Sequence, residues 1–166
     1  MAGNSEKLTT EFYDGLGLFL RKNLKRGDAE VESMNEPVRF YTSKLGSVDL
    51  GEPQVSFADE LFALAESKKI SKTELCTRAG ISRQMLYKIR GSEEPGVSKR
   101  AALALVVGVE ATKPEADSLL KKAGFSFSDS DLTDMVVEYF IEKEVYDIDA
   151  INEVLYSYNR RPLGSI

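Results

Sequence analysis

Three sets of side chains in this sequence have types and spacings that point to chemistry. They are a run of cations between Lys68 and Arg100, a run of carboxylates between Asp129 and Asp149, and the single thiol of Cys76. From Lys68 to Arg100 there are nine cations against three anions (Glu74, Glu93 and Glu94), a local charge of +6, the composition of a surface that neutralises phosphates. From Asp129 to Asp149 there are eight carboxylates opposed only by Lys143. Paired carboxylates can serve as acid and base or bind Ca2+, but this run lacks EF-hand spacing and a glycine at the required turn, so it reads as a solvated or partner-facing acidic face. The chain has no histidine, which removes imidazole as a base and His-ligated zinc or haem. A lone cysteine forms no internal disulfide and has no histidine to activate it, so Cys76 reads as a packed small apolar residue. No glycine-rich phosphate loop, GxSxG or kinase element is present. These exclusions leave no catalytic residue, no metal site and no cofactor, and the expectation is a protein that is not an enzyme.

The elements that must position these residues are helical. The 166 residues are 42% apolar, enough for one domain with an arm, and the net charge of −5 resolves into +6 over the basic run and −11 elsewhere. No run approaches the roughly 18 apolar residues of a membrane span, and residues 1–10 carry no apolar signal core, so the expected setting is cytoplasmic, with no membrane partner. Leu8 to Leu24 carries Phe12, Leu16, Phe19 and Leu20 at helical spacing, with Thr9 or Thr10 as cap, although Gly15 and Gly17 weigh against it. Residues 25–54 hold Gly27, Pro37, Gly46, Gly51 and Pro53 and read as a linker or arm, in which Val38 to Thr42 is a candidate strand.

From Ser56 onward the signals become regular. Ser56, Ser71, Ser82, Ser98 and Thr112 are spaced as N-caps, with Glu74 completing a capping box on Ser71. Leu61, Leu75, Cys76, Leu86 and Ile89 are expected inward, and Gly80 supplies a left-handed turn between two short helices. Further helices are expected over Asp131 to Val145 and Asp147 to Tyr158. The fold class is therefore all-α, with residues 1–55 as an N-terminal helix and partly irregular arm, 56–125 as a five-helix bundle, and 126–166 as a two-helix extension packed on it.

The segment Ile70-Ser-Lys-Thr-Glu-Leu-Cys-Thr-Arg-Ala-Gly-Ile-Ser-Arg-Gln-Met-Leu-Tyr-Lys-Ile-Arg-Gly91 resembles the helix-turn-helix of the Cro and phage-repressor class, the Xre family. Cys76 stands at its small second-helix position, Gly80 at the turn, and Leu86 and Ile89 at the core positions of the recognition helix. A second resemblance covers about two thirds of the chain. Leu119-Leu-Lys-Lys-Ala-Gly-Phe, Val137-Glu-Tyr-Phe-Ile-Glu, Tyr146-Asp-Ile and the closing Pro162-Leu-Gly look like the helical C-terminal region of bacterial proteins that begin with a macrodomain or a von Willebrand type A domain. The residues before Ser56 are too few for either domain, so the chain reads as a stand-alone relative or an excised fragment.

The first resemblance implies a sequence-specific regulator of double-stranded DNA, dimeric because one unit reads a half-site. The residues it would use are Ser82, Arg83, Gln84, Tyr87 and Lys88 on the outward face of the recognition helix, with Arg83 suited to guanine and Gln84 to adenine. Lys72 matches the phosphate clamp at a helix N-terminus, and Lys99 and Arg100 extend the backbone track. Against it stand Glu93 and Glu94 and the acidic total. The second resemblance implies a non-enzymatic interaction module whose acidic C-terminal helices dock a protein. Both readings stay open on sequence alone. They separate on whether Arg83 and Lys88 are covered by the acidic tail.

Overall fold

Helix boundaries in this chain are set by short polar side chains that satisfy the first free backbone N–H groups. In the computed structural model, which describes residues 7–22, 55–91 and 97–164, Thr9 Oγ1 accepts from the Phe12 N–H at 3.3 Å and starts α1, residues 10–22. Ser56 caps α2 (Phe57–Ser67), and Ser71 caps α3 (Lys72–Ala79). Ser82 Oγ accepts from the Met85 N–H at 3.2 Å and opens α4 (Arg83–Gly91). Ser98 caps α5 (Lys99–Gly108), Asp131 caps α7 (Leu132–Glu142), and Asp147 caps α8 (Ile148–Ser157). Between them lies α6 (Lys113–Lys122). Every element among the described residues is helical.

Two of the expected caps are built differently. Thr112 precedes α6, but its hydroxyl donates to the Glu115 carboxylate at 3.0 Å rather than accepting a backbone N–H. Pro114, in the first turn, has already removed one of the donors that a cap would serve. At α3 only half of the capping box forms. Ser71 accepts from the Glu74 N–H at 3.1 Å, whereas the Glu74 carboxylate turns away to the Arg78 guanidinium.

The centre of the molecule is α5, whose residues from Ala101 through Gly108 are all buried. A helix without a polar face must be covered on every side, and α3, α6, α7 and α8 all pack against it. Small residues make this possible. Gly108 lies so close to α3 that a Cβ there would be 2.9 Å from Ala79 Cβ and 3.0 Å from the Ala79 nitrogen. The turn between α3 and α4 consists of Gly80, in the left-handed region (φ 63°), then buried Ile81 and exposed Ser82.

At the other end, α1 docks on α7. Phe12 is buried edge-on between Tyr139 and Phe140, with ring centroids 5.2 and 5.0 Å away, a burial worth about 2–3 kcal/mol. The Tyr139 hydroxyl donates to the Phe12 carbonyl at 3.0 Å. Gly15, which lowers the helix propensity of this segment, leaves room for that hydroxyl: a Cβ there would be 2.5 Å from it, so any side chain would displace it. Propensity thus yields to packing. The candidate strand over Val38 to Thr42 and most of the N-terminal arm lie outside the described residues.

Candidate nucleic-acid interface

The basic run divides into cations turned inward and cations turned outward. Arg78 is held by Glu74 and by Glu110, the latter at 2.7 Å, and Lys68 reaches Glu115 at 3.3 Å. Lys99 is the clearest inward case. Its ammonium contacts the carboxylate of Asp134, a residue only 1% exposed, and Asp134 also accepts from the Ser128 N–H at 2.8 Å. Burial pushes the Asp134 carboxyl above the ordinary carboxylate range, and the two donors offset this only in part. Lys99, expected on a phosphate track, thus has its ammonium beside a buried carboxylate of the C-terminal extension, with its side chain 31% exposed. Arg100 is half-buried with its Nη1 shielded from solvent, so it contributes little to an exposed track.

Lys72, Ser82, Arg83, Gln84, Tyr87 and Lys88 all remain exposed. Of these, Lys72, Arg83 and Tyr87 come together where α4 begins beside the start of α3. Arg83 Nη2 donates to Thr73 Oγ1 at 3.1 Å, which fixes the first residue of α4 against the first turn of α3. Lys72, Thr73, Arg83 and Tyr87 form the walls of a shallow cleft of about 60 Å³, with Cys76 and Leu86 at its base. Tyr87 is 62% exposed beside it. Cys76 is buried, and its thiol is pushed upward by burial against a smaller lowering from the Arg83 charge, which suits a packed residue rather than a nucleophile.

One residue of this surface has no sequence signal as a functional position. Phe62 of α2 lies between Lys72 Nζ, 5.7 Å from its ring centroid, and the Arg90 guanidinium, 5.9 Å away. Both distances are within the range of a cation–π attraction. The result is a positive strip in which Arg90 and Lys72 flank Phe62, while Arg83 and Lys88 project from α4.

Among the described residues, no carboxylate of the acidic extension forms an ion pair with this strip. Among the described residues, neither Arg83 nor Lys88 forms an ion pair with a carboxylate. Half of the eight carboxylates have internal roles. Asp131 and Asp147 cap helices, Asp134 binds Lys99, and Glu138 binds Lys113 at 3.2 Å. Asp129, Glu142, Glu144 and Asp149 face solvent. Glu93 and Glu94, which in the sequence oppose a nucleic-acid surface, lie outside the described residues. The aromatic stripe of the extension is core. Tyr139 and Phe140 are buried, and Tyr146 donates to the Ala111 carbonyl at 2.9 Å, with burial pushing its phenol up to about 12.

Among the described residues, no group of three or more Cys, Asp or Glu side chains is placed to hold a metal ion, and no helix is long and apolar enough to cross a membrane. The arrangement can offer a duplex two guanidiniums, two ammoniums and an amide from adjoining helix ends, together with the free N–H groups of the α3 N-terminus. Compared with protein-family models, curated proteins and solved structures, the chain has no match, so the reading of this surface rests on its own geometry and charge.

Proposed function

We propose that the chain is a sequence-specific DNA-binding regulator, in which α3 and α4 act as a helix-turn-helix of the Cro and phage-repressor type. One observation carries this reading: the outward face of α4, from Ser82 to Lys88, is exposed, and among the described residues no carboxylate of the acidic extension pairs with it. In this reading α4 enters the major groove. Arg83 suits guanine O6 and N7, Gln84 suits an adenine edge, and Tyr87 and Lys88 meet the flanking backbone. Lys72, set on the positive end of α3, takes a phosphate, with Arg90 beside it across Phe62. Lys99 has no part in contact. A unit of this size reads one half-site, so two copies on a near-symmetric site complete the recognition.

The test is fluorescence anisotropy with a mixed-sequence duplex over a salt series, followed by selection of preferred sequences. The wild-type chain is expected to bind at about 50 mM salt and to weaken steeply as salt rises. Arg83→Ala with Lys88→Ala is expected to lose at least about tenfold in affinity for the selected sequence. A wild-type chain that ignores duplex DNA even at low salt would sink this reading.

A further inference from the structure

The described chain ends in a hook that returns to the α3–α4 turn. After α8, Asn159 adopts the left-handed region (φ 56°) and the chain reverses. The Asn152 side chain then clasps both backbone groups of Leu163. The Leu163 N–H donates to Asn152 Oδ1 at 2.7 Å, and Asn152 Nδ2 donates to the Leu163 carbonyl at 3.4 Å. Leu163 is buried, and Gly164 (φ 91°) lies directly against the turn. A Cβ at that position would be 2.7 Å from the Gly80 carbonyl oxygen and 2.9 Å from that of Ala79. The hook is therefore seated two residues from Ser82, the cap of α4.

The charge of the hook is opposite to that of the helices that deliver it. Residues 126–166 contain nine carboxylates and three cations, and two of those cations are the adjacent Arg160 and Arg161. Both are exposed, and neither pairs with a carboxylate among the described residues. Arg161 is three residues before Gly164, which limits the separation of their Cα atoms to about 11 Å. Tyr156 and Tyr158, which precede the pair in the chain, are 82% and 47% exposed. Packing accounts for Asn152, Leu163 and Gly164. It does not account for a double arginine with exposed tyrosines just before a segment seated on the α3–α4 turn.

We propose that this hook is a second contact element for duplex DNA, with Arg160 and Arg161 pairing with backbone phosphates beside the end of α4 that reads bases. The inference rests on α4 being the reading helix. It adds a sequence-independent contact from outside the bundle, so that a mostly acidic extension supplies positive charge only where it meets the duplex.

The experiment measures anisotropy of a mixed-sequence 30-base-pair duplex over a salt series for the wild-type chain, Arg160→Ala with Arg161→Ala, and Arg160→Lys with Arg161→Lys. Loss of two phosphate contacts is expected to reduce the slope of log K against log salt by about 2. The weakening should be equal on all sequences, with the melting temperature unchanged, because the residues that seat the hook are retained. The lysine pair keeps the charge and is expected to keep the slope. An alanine pair with a wild-type slope overturns the second contact while leaving the α4 reading intact. A wild-type chain without affinity at low salt overturns both.

Discussion

Replacing Gly108 by valine is expected to destabilise the chain by roughly 3 kcal/mol, read as a fall in melting temperature of roughly 6–12 °C. The cause is the crossing of α5 and α3. Even a single Cβ at position 108 would be 2.9 Å from Ala79 Cβ, 3.0 Å from its nitrogen and 3.2 Å from its Cα. Two of these three atoms are backbone, so no rotamer change relieves the overlap and the two helices must separate. Alanine at 108 suffers the same overlap, partly offset by a gain of up to about 1 kcal/mol in helix propensity, so its cost is expected to be smaller. Gly80→Ala is the control. A methyl group at position 80 would meet nothing within 4 Å, so only the left-handed backbone opposes the change, at about 1 kcal/mol. A Gly108→Val protein as stable as the wild type in thermal and urea unfolding would mean that α3 and α5 do not cross this closely.

The second large effect concerns Lys99. Lys99→Met is expected to cost roughly 3 kcal/mol near pH 7, because it leaves the buried Asp134 carboxylate without its cation. Asp134→Asn should cost less, since the Lys99 side chain is 31% exposed and its ammonium can turn to water. The pH dependence has a definite sign. A carboxyl whose folded value is raised, as Asp134 is, contributes stability that is fully present below the ordinary carboxylate range and is lost as pH rises through the folded value. Removing Lys99 raises that folded value further. The penalty of Lys99→Met is therefore expected to shrink at a pH low enough to protonate Asp134 and to grow at neutrality. Urea unfolding of the variant at both pH values checks this, and a penalty independent of pH would refute it.

These two sites mark where the sequence stops being legible. The N-caps at Ser56, Ser71, Ser82 and Ser98 are readable because their signal is local: an oxygen acceptor placed just before an apolar helical stripe. The inward positions of Leu75, Cys76, Leu86 and Ile89 follow from the same periodicity, as does the turn at Gly80. Lys99 stands in the first turn of its helix, next to the Ser98 cap, and so reads as a surface cation. Its partner is 35 positions away in a segment that reads as a solvated acidic face. Gly108 reads as a helix stop, and nothing near it announces contact with Ala79. Phe62 reads as ordinary helix surface, because its place between Lys72 and Arg90 depends on how α2, α3 and α4 assemble. Charge runs give composition, and only packing decides which charges remain outside.

The hook at Leu163 and Gly164 has a kinetic consequence. The segments α3, Gly80 and α4 meet through contacts between near neighbours in the chain, which form quickly. The contact between Gly164 and Gly80 closes a loop of 84 residues. Its closure entropy is repaid only once α7 and α8 have settled on α5, which makes it a late event in folding and an early one in opening. The Ala79 and Gly80 carbonyl oxygens at the turn are thereby covered by a segment distant in sequence.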